Sequence, residues 1–416
     1  MGRPAQAAWQ AGKDRDVLSI IRESNAGRVA KLVPMKMRLM SASPFAYFRG
    51  TAPVMAKDLA GLPVTGLTVQ LCGDAHVKNL GAYAAPDGTL VFDINDFDET
   101  ISGPWEWDLK RLATSVVLAG ADAGDTDCEA AAQELARLYR ESMAKFSRMR
   151  VLELAKYEIR GSAVIRGVME KAERVTPARN LKKLTEPCEG GLPRFHDNLP
   201  ALRHVPDSTH ASVLDALGRY RETVTAGRQL ILDAYHPVDV AFKIVGTGSV
   251  GTRDFVVLLF GNGVRDPMFL QVKEELESCY APYVKPRPHF DNEGRRVAQG
   301  QQRLQTVTDP FLGWTTITGR GYLVRQLADH KAAINPADLK GTTLRRYAMI
   351  CGELLAKAHA RTGDAAMLDG YCGTSTKLDK AIAEFAMAYA EQVNADYRLF
   401  MKAIKAGKIN TVTPEA

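Results

Sequence analysis

The sequence predicts an α+β fold, and three observations point to it. Amphipathic helical patterns occur towards both ends of the chain, with long examples at 128–148 and 378–406. Strand patterns concentrate between them, most densely over 238–273. The length of 416 residues, with 46% hydrophobic and 25% charged content, is that of a globular protein with room for two lobes and a sizeable core.

Composition and charge exclude several classes of protein. The net charge of +6 is small and the basic residues are dispersed, so we do not expect a nucleic-acid partner. No apolar run reaches the roughly 18 residues of a membrane span, and the first ten residues lack a signal-peptide core. The six cysteines lie far apart, which argues against zinc and disulfides. We therefore expect a cytoplasmic protein with no membrane partner.

Helical spacing first becomes clear over 35–59, where Ser43-Pro44 and Gly50 interrupt the pattern. Two arginines of this segment, Arg38 and Arg49, have two interpretations that the sequence leaves open. Either they face a cleft and hold phosphate, or they are structural arginines that anchor acidic loops.

Two apolar strands, 67–71 and 89–94, carry polar residues just beyond their ends. These residues are Asp74, His76 and Asn79 after the first strand, and Asn95, Asp96, Asp98 and Glu99 after the second. If the strands pair as a hairpin, the polar groups converge in one cleft. Carboxylates this close repel one another unless a cation neutralises them, and oxygen ligands with one amide suit Mg²⁺. The alternative is a turn-rich hairpin with solvated acids.

Helical patterns return after the acidic stretch. One helix runs from Asp108 to Gly120, and a longer one over 128–148 has an apolar face that we interpret as core. From 176 to 206 the periodicity gives way to proline, glycine and charge, so we predict a linker there.

A glycine-rich loop follows the strand predicted to begin at Val238. Its candidate phosphate-binding residues are Gly246, Gly248, Ser249 and Gly251, in the pattern G-x-G-x-x-G. The pattern is weak by itself, because Rossmann turns share it. A Rossmann turn opens a helix, whereas 254–260 is β-rich and a further strand over 268–272 leads to Lys273. We therefore predict a phosphate-covering loop, with Lys273 as a point charge for the phosphates; the alternative is a plain β-meander.

Three motifs together resemble the catalytic core of aminoglycoside and choline phosphotransferases, which belong to the protein-kinase-like superfamily. They are Gly73-Asp74-x-His76-x-x-Asn79, Ile94-x-Asp96-Phe97-Asp98 and Trp107-Asp108-Leu109. Two residues depart from the pattern of those enzymes: Cys72 replaces the usual His, and Asp98 replaces the Gly of Asp-Phe-Gly. The whole chain also resembles a bacterial family of unknown function that is placed near those kinases.

The resemblance implies a role for each motif residue. Asp74 would orient or deprotonate an acceptor hydroxyl, with His76 and Asp108 in support, Asp108 by hydrogen-bonding the loop from below. Asn79, Asp96 and Asp98 would hold Mg²⁺, while the glycine loop and Lys273 would hold ATP.

Kinases also pair the nucleotide-binding lysine with a glutamate of the next helix. The sequence leaves this acidic partner of Lys273 open among Glu277, Glu293 and a neutral residue. A hairpin over 314–327 would supply the hinge, and a helix over 343–361 resembles the one that precedes the phosphotransferase catalytic loop.

The order of these parts differs from that of a kinase, because here the catalytic loop precedes the glycine loop and the lysine. The resemblance therefore implies a circularly permuted, two-lobed, protein-kinase-like (aminoglycoside-phosphotransferase-like) fold. Residues 1–175 and 327–416 would form a larger helical lobe, 176–206 a linker, and 207–326 a small inserted β-rich lobe.

The expected function is that of an ATP- and Mg²⁺-dependent phosphotransferase acting on an unidentified hydroxyl acceptor. Transfer of a nucleotidyl group in place of a phosphoryl group stays open. So does a catalytically silent nucleotide-binding module, which would bind without turnover. A third alternative is a metal-dependent hydrolase that uses Asp74, His76, Asp96 and Asp98 and does not need Lys273.

Overall fold

The computed structural model describes residues 1–159, 162–188, 191–244, 246, 248–327 and 331–412. Its helices and antiparallel sheets confirm the predicted α+β class. The helices are α1 (Val17–Glu23), α2 (Val33–Met40), α3 (Pro44–Gly50), α4 (Ala52–Ala60), α5 (Trp105–Asp122), α6 (Cys128–Phe146), α7 (Val151–Ala155), α8 (Ala163–Ala172), α9 (Pro177–Leu184), α10 (Asp207–Arg221), α11 (Ala226–Asp233), α12 (Glu293–Leu304), α13 (Gly341–Thr362), α14 (Ala365–Cys372) and α15 (Lys377–Lys405). The strands are β1 (Thr68–Leu71), β2 (Leu80–Ala84), β3 (Leu90–Ile94), β4 (Ile101–Pro104), β5 (Thr185–Glu186), β6 (Arg194–Phe195), β7 (Leu202–His204), β8 (His236–Lys243), β9 (Asp254–Phe260), β10 (Pro267–Glu274), β11 (Gly313–Ile317), β12 (Arg320–Gln326) and β13 (Ala332–Ala333).

Four helices, α5, α6, α13 and α15, form the centre of the helical part. Their apolar faces belong to one continuous core, whose members extend along the chain from Val17 to Phe400. The close crossing of α13 and α6 requires a glycine, because a β-carbon at Gly352 would clash with the carbonyl oxygen of Leu135. Segments from near both ends of the chain therefore share one core.

A six-stranded antiparallel sheet, in the order β11-β12-β10-β9-β8-β7, forms the second part. All seven residues of β9 are buried, since both faces of the sheet are covered. Val257 and Leu259 pack in the cluster that contains residues of α10, whereas Val256 and Leu258 pack with residues from α9, β6 and β7. This division follows from the alternation of side chains along a strand.

The glycine-rich loop lies between β8 and β9, and the element that follows Gly251 is the strand β9. The Rossmann interpretation required a helix at this point and is therefore wrong. Strands β8, β9 and β10 pair in antiparallel register, so that Lys273 lies opposite Asp254 near the end of β10. Val245 and Thr247 lie outside the described residues.

The predicted hairpin between 67–71 and 89–94 is wrong, although both strands exist. β1 pairs with β4, and β3 pairs with β2, a strand that was not predicted from the sequence. The physical reason is proximity along the chain: the short turn over 85–89 joins β2 directly to β3, which leaves β1 to pair with the strand beyond the acidic loop.

The segment 176–206, predicted as a linker, contains α9 and the short strands β5, β6 and β7. β7 joins the edge of the six-stranded sheet beside β8. The division of the chain into lobes at these boundaries stays a prediction.

Within the described part of the chain, no helix combines the length and apolar character that crossing a membrane requires. The six cysteines are free thiols.

Candidate active site

The loop after β1 is held from below by a carboxylate of α5. Asp108 accepts hydrogen bonds from the backbone N–H groups of Cys72, at 2.7 Å, and Gly73, at 3.0 Å. Asp108 Oδ2 also lies 3.4 Å from Nε2 of His359, near the end of α13. This carboxylate thus connects the loop to two helices that are distant in sequence.

Gly73 is required by the shape of this loop. Its φ is +88°, and a β-carbon would clash with the carbonyl oxygen of Glu99. We expect Gly73→Ala to lower the free energy of unfolding by about 2 kcal/mol or more, because a left-handed backbone costs about 1–2 kcal/mol and the clash adds to it. Urea denaturation of the variant and the wild type measures the loss.

Gly88→Ala is the matched control for this prediction. Gly88 also has a positive φ, of +81°, but no atom lies within 4 Å of the position that its β-carbon would take. The control therefore carries the backbone cost without the clash. Equal losses of stability at the two positions would contradict the role that we give to the contact with Glu99.

Asp74 is oriented by an arginine of α5. Arg111 Nε donates a hydrogen bond to Asp74 Oδ1 at 2.7 Å, and Nη2 of the same guanidinium forms an ion pair with that oxygen. Arg111 is fully buried against the Phe48 ring, with Cζ 4.2 Å from the ring centroid. Burial raises the pKa of Asp74, and the charge of Arg111 opposes that rise.

His76 supports Asp74 as a neutral imidazole. Its Nδ1 accepts a hydrogen bond from the backbone N–H of Lys78 at 3.2 Å, so the ring proton belongs on Nε2. Nε2 lies 3.8 Å from Asp74 Oδ2. Burial lowers the pKa of His76 well below its usual value, and the charge of Arg49 adds to the effect.

Asn79 connects the Asp74 loop to the Asp96 loop. Its side-chain Nδ2 donates to the backbone carbonyl oxygen of Asp74 at 2.7 Å, and the backbone carbonyl oxygen of Asn79 accepts from the backbone N–H of Asn95 at 2.9 Å. With the amide nitrogen engaged in this way, Oδ1 is the atom of this side chain that can bind a cation.

Asp96 and Asp98 follow β3 and have different environments. Asp98 Oδ2 forms an ion pair with Lys273 Nζ and accepts a hydrogen bond from Ser249 Oγ at 3.0 Å. Burial by itself would raise the pKa of Asp98, but the charge and hydrogen bond of Lys273 outweigh it and hold that pKa below its usual range. Burial and the neighbouring Asp98 raise the pKa of Asp96 to about 6.

Lys273 is 3% exposed and has a second acidic neighbour, Glu275, whose Oε1 lies 3.6 Å from Nζ. Two of the partners that the sequence left open, Glu277 and Glu293, pair with arginines instead. The physical reason is the alternation of side chains in extended backbone, which directs residues 273 and 275 to the same side.

An arginine of α12 attaches this helix to the acidic loop. Arg296 donates to the carbonyl oxygens of Thr100 at 2.7 Å, Asp98 at 2.9 Å and Leu276 at 2.8 Å. Helix α12, which begins at the candidate partner Glu293, thus contributes a cation that binds backbone.

A cavity of about 290 Å³ opens between the glycine loop, the end of β10 and the Asp96 loop. The charged residues of its lining are Lys243, Lys273, Arg325, Lys331, Asp96 and Asp309. By formal charge this set has an excess of two positive charges, which favours a polyanion; burial lowers the pKa of Lys331 to about 7, and a bound anion would favour its protonated form. Tyr83, Ala84 and Leu327 add apolar surface to the same cavity.

The glycine loop is held by the N-terminal segment. Gly246 and Gly251 have φ values of +60° and +96°, which glycine adopts without strain. Arg28 Nη1 donates to the carbonyl oxygen of Val250 at 2.8 Å. The backbone N–H of Val29 donates to the carbonyl oxygen of Gly251 at 2.7 Å. Gly246 and Ser249 line the cavity, whereas Gly248 and Gly251 are absent from its lining.

The structure therefore brings Lys273, Asp96, Asp98 and Ser249 together, with Asp74 and Asn79 in the adjoining loop. Sequence reasoning did not identify several residues of the site, among them Arg111, Arg296, Glu275 and the cavity-lining Arg325. Arg111 had a signal that could have identified it, since it follows Asp108 by three residues on the same helical face. Arg296 had no such signal in the sequence, because it binds backbone carbonyl oxygens, and no pattern of side chains indicates those partners.

Among the residues that the structure describes, no three His, Cys, Asp or Glu side chains gather closely enough to hold a metal by themselves. The backbone N–H of Asp98 donates to Asp96 Oδ1 at 3.4 Å, and the charge of Asp98 helps to raise the pKa of Asp96, so the two carboxylates of this short loop interact. Two carboxylates with the Asn79 amide fit Mg²⁺, which is commonly bound by one or two carboxylates and completes its shell with water and phosphate.

Comparison with known proteins identifies a family for this chain. The family model described as "Uncharacterized protein conserved in bacteria (DUF2252)" matches residues 28–403. No curated protein and no solved structure matches the chain. The matched residues include the Asp74 loop, the glycine loop and Lys273, and they cover most of the sequence. The chain therefore belongs to this family of bacterial proteins, DUF2252.

Proposed function

We propose that the protein is an ATP- and Mg²⁺-dependent phosphotransferase with a circularly permuted, protein-kinase-like fold. The observation that carries the proposal is the ion pair between Lys273 and Asp98, which are 175 positions apart in sequence. It lies beneath a glycine loop whose Ser249 binds the same carboxylate. A strand-end lysine, a glycine loop and a pair of aspartates are the parts that hold a triphosphate and its metal in kinases.

The cavity supports a nucleotide as the ligand. Its volume of about 290 Å³ is close to the lower end of the range of about 300–1,000 Å³ for small-molecule sites. The excess of positive charge suits the phosphates, and the surface of Tyr83 and Leu327 suits the flat base. On nucleotide binding, Lys273 would exchange its ion pair with Asp98 for contacts with phosphate oxygens.

Three residues would hold Mg²⁺: Asn79 through Oδ1, together with Asp96 and Asp98. The ion would neutralise the charge of the phosphates, which is the main electrostatic requirement of phosphoryl transfer. Release of Asp98 from Lys273 on nucleotide binding would make that carboxylate available.

The chemistry requires a hydroxyl acceptor beside Asp74. The acceptor oxygen forms a bond to the γ-phosphorus, and the bond from that phosphorus to the β–γ bridging oxygen breaks. The hydroxyl proton passes to Asp74, and ADP leaves with the electron pair of the broken bond. Burial raises the pKa of Asp74 towards the range useful for a general base, while Arg111 keeps the carboxylate oriented.

Two features support the permuted arrangement. His359 of α13 contacts Asp108 beneath the Asp74 loop, where an unpermuted chain would join this helix to the loop. The main core also draws members from near both ends of the chain, whereas most of the sheet packs in two separate clusters.

We expect Mg²⁺ with ATP to raise the melting temperature, because a ligand that binds only the folded state stabilises it by mass action. At a hundredfold excess over Kd the gain is about 2.7 kcal/mol. Lys273→Met should abolish most of this shift, whereas Lys57→Met, at an exposed position of α4, should leave it unchanged. Scanning fluorimetry with ATP, GTP and ADP, with and without Mg²⁺, measures the shifts.

The outcomes separate the alternatives. No shift with any nucleoside triphosphate at millimolar concentration would contradict the proposal. A shift without turnover of any acceptor would favour a silent nucleotide-binding module. Release of phosphate from phosphoesters at the wild-type rate by Lys273→Met would favour the metal-dependent hydrolase.

A further inference from the structure

An arginine near the end of α3 lies between the parts of the proposed site. We propose that Arg49 binds the γ-phosphoryl group of ATP while it is transferred, an inference that rests on the proposed phosphotransferase function. It resolves the two interpretations of Arg49 that the sequence leaves open in favour of phosphate binding.

The backbone around Arg49 is attached to the Asp74 loop and adjoins the glycine loop. The carbonyl oxygen of the preceding residue, Phe48, accepts a hydrogen bond from Arg111 Nη2 at 3.1 Å, and Arg111 in turn orients Asp74. The carbonyl oxygen of Arg49 lies 3.7 Å from the position that a β-carbon at Gly248 would take. Residue 49 is thus located where the two loops approach each other.

The side chain points towards the acids of the site. Its Cζ lies 6.0 Å from the centroid of the Phe45 ring, and Asp74 and Asp96 are the charges that stabilise its protonated form against burial. In the proposed reaction Asp74 contacts the acceptor and Asp96 the metal. A guanidinium that interacts with both carboxylates lies near the path of the phosphoryl group between ATP and acceptor.

Unlike Arg111 and Lys273, Arg49 has no hydrogen-bond acceptor and no ion-pair partner among the residues that the structure describes. Arg111 is paired with Asp74, and Lys273 is paired with Asp98. No described residue accepts a hydrogen bond from the Arg49 side chain, and its Nε is buried. Arg49 is half-buried, and leaving its buried Nε without an acceptor is costly, so an anion bound in the cleft would offset that cost.

The chemistry of the guanidinium explains why the γ-phosphoryl group is the ligand. Its planar fork can donate two hydrogen bonds to two oxygens of one phosphoryl group and stabilise charge that spreads over them during transfer. Lys273, which lines the cavity, would bind the inner phosphates. Arg49 would then distinguish ATP from ADP, because ADP lacks the group that it binds.

The test compares the affinities of Mg²⁺-ATP and Mg²⁺-ADP for the full-length protein by calorimetry. We expect Arg49→Met to weaken ATP binding by about 10–100-fold, the worth of charge-assisted hydrogen bonds, and to leave ADP binding unchanged. Arg49→Lys keeps the charge without the fork and should give an intermediate loss for ATP. Arg38→Met is the matched control, since Arg38 is an exposed arginine of the neighbouring helix α2.

Equal losses of ATP and ADP affinity, or no loss of either, would overturn the inference while leaving the proposed function intact. Failure of the wild type to bind either nucleotide would overturn the proposed function itself, so the two failures are distinguishable. If Arg49→Met does not fold, Arg49→Lys carries the same comparison, and an unchanged ratio of ATP to ADP affinity in that variant overturns the inference.

Discussion

Replacing Asp74 with asparagine should lower phosphoryl transfer by about 10²–10⁴-fold, which is the usual contribution of a general base. The amide cannot take the acceptor proton, although its oxygen can still accept the hydrogen bond of Arg111. Nucleotide binding should persist, because the proposed role of Asp74 is to contact the acceptor, whereas Lys273 and Asp96 line the cavity proposed for the nucleotide. Release of labelled phosphate from γ-labelled ATP, with water as the stand-in acceptor, measures the rate, and calorimetry measures the binding.

Asp291→Asn is the control for this experiment, since the Asp291 side chain is 89% exposed and lies outside the cavity lining. It should transfer and bind like the wild type. Turnover by Asp74→Asn at the wild-type rate would remove Asp74 from the role of base. If Asp74→Asn loses both nucleotide binding and turnover, the result would instead indicate that the Asp74 loop collapses when Arg111 loses its charged partner.

The second large effect concerns stability, and it involves a buried acid of the sheet. Asp254 is 2% exposed; its Oδ2 accepts a hydrogen bond from Gln271 at 2.7 Å, and its Oδ1 has no described partner. Burial raises the pKa of Asp254 to about 7, although Lys273 and the hydrogen bond of Gln271 oppose this rise. The folded protein therefore retains a proton at this site that the unfolded chain loses near pH 4.

This difference sets the direction of the pH dependence. As the pH rises from about 4 to about 7, the unfolded chain has already released the proton while the folded protein keeps it, so the free energy of unfolding falls by up to about 4 kcal/mol. Above about pH 7 both states are ionised and this contribution becomes constant. Asp254→Asn should remove this pH dependence and be the more stable protein at pH 8. Urea denaturation of both proteins across this pH range measures it.

Asp291→Asn again supplies the control, because an exposed carboxylate should leave the pH profile unchanged. Identical pH profiles for Asp254→Asn and the wild type would show that Asp254 is ionised in the folded protein over this range. In that case its neighbouring cations, Lys273 foremost, outweigh the effect of burial.

Local patterns in the sequence predicted the individual elements well. The β-rich run over 254–260 identified β9 with its observed bounds, and the segment 314–327 matches the hairpin of β11 and β12 to within one residue at each end. The helical spacing over 35–59, with its breaks at Ser43-Pro44 and Gly50, corresponds to α2, α3 and α4. Such features depend on the periodicity of apolar side chains and on turn residues. Both signals can be read from residues only a few positions apart in the sequence.

The sequence by itself thus determined the α+β class, the strands beside the glycine loop and the acidic residues of the candidate site. The tertiary structure alone decided which of these elements are neighbours: that β1 pairs with β4, that Lys273 contacts Asp98 and Glu275, and that Arg49 interacts with Asp74 and Asp96. The physical reason is that strand pairing and buried ion pairs join residues far apart along the chain. Their choice depends on how the whole core packs, and no local period of the sequence records it.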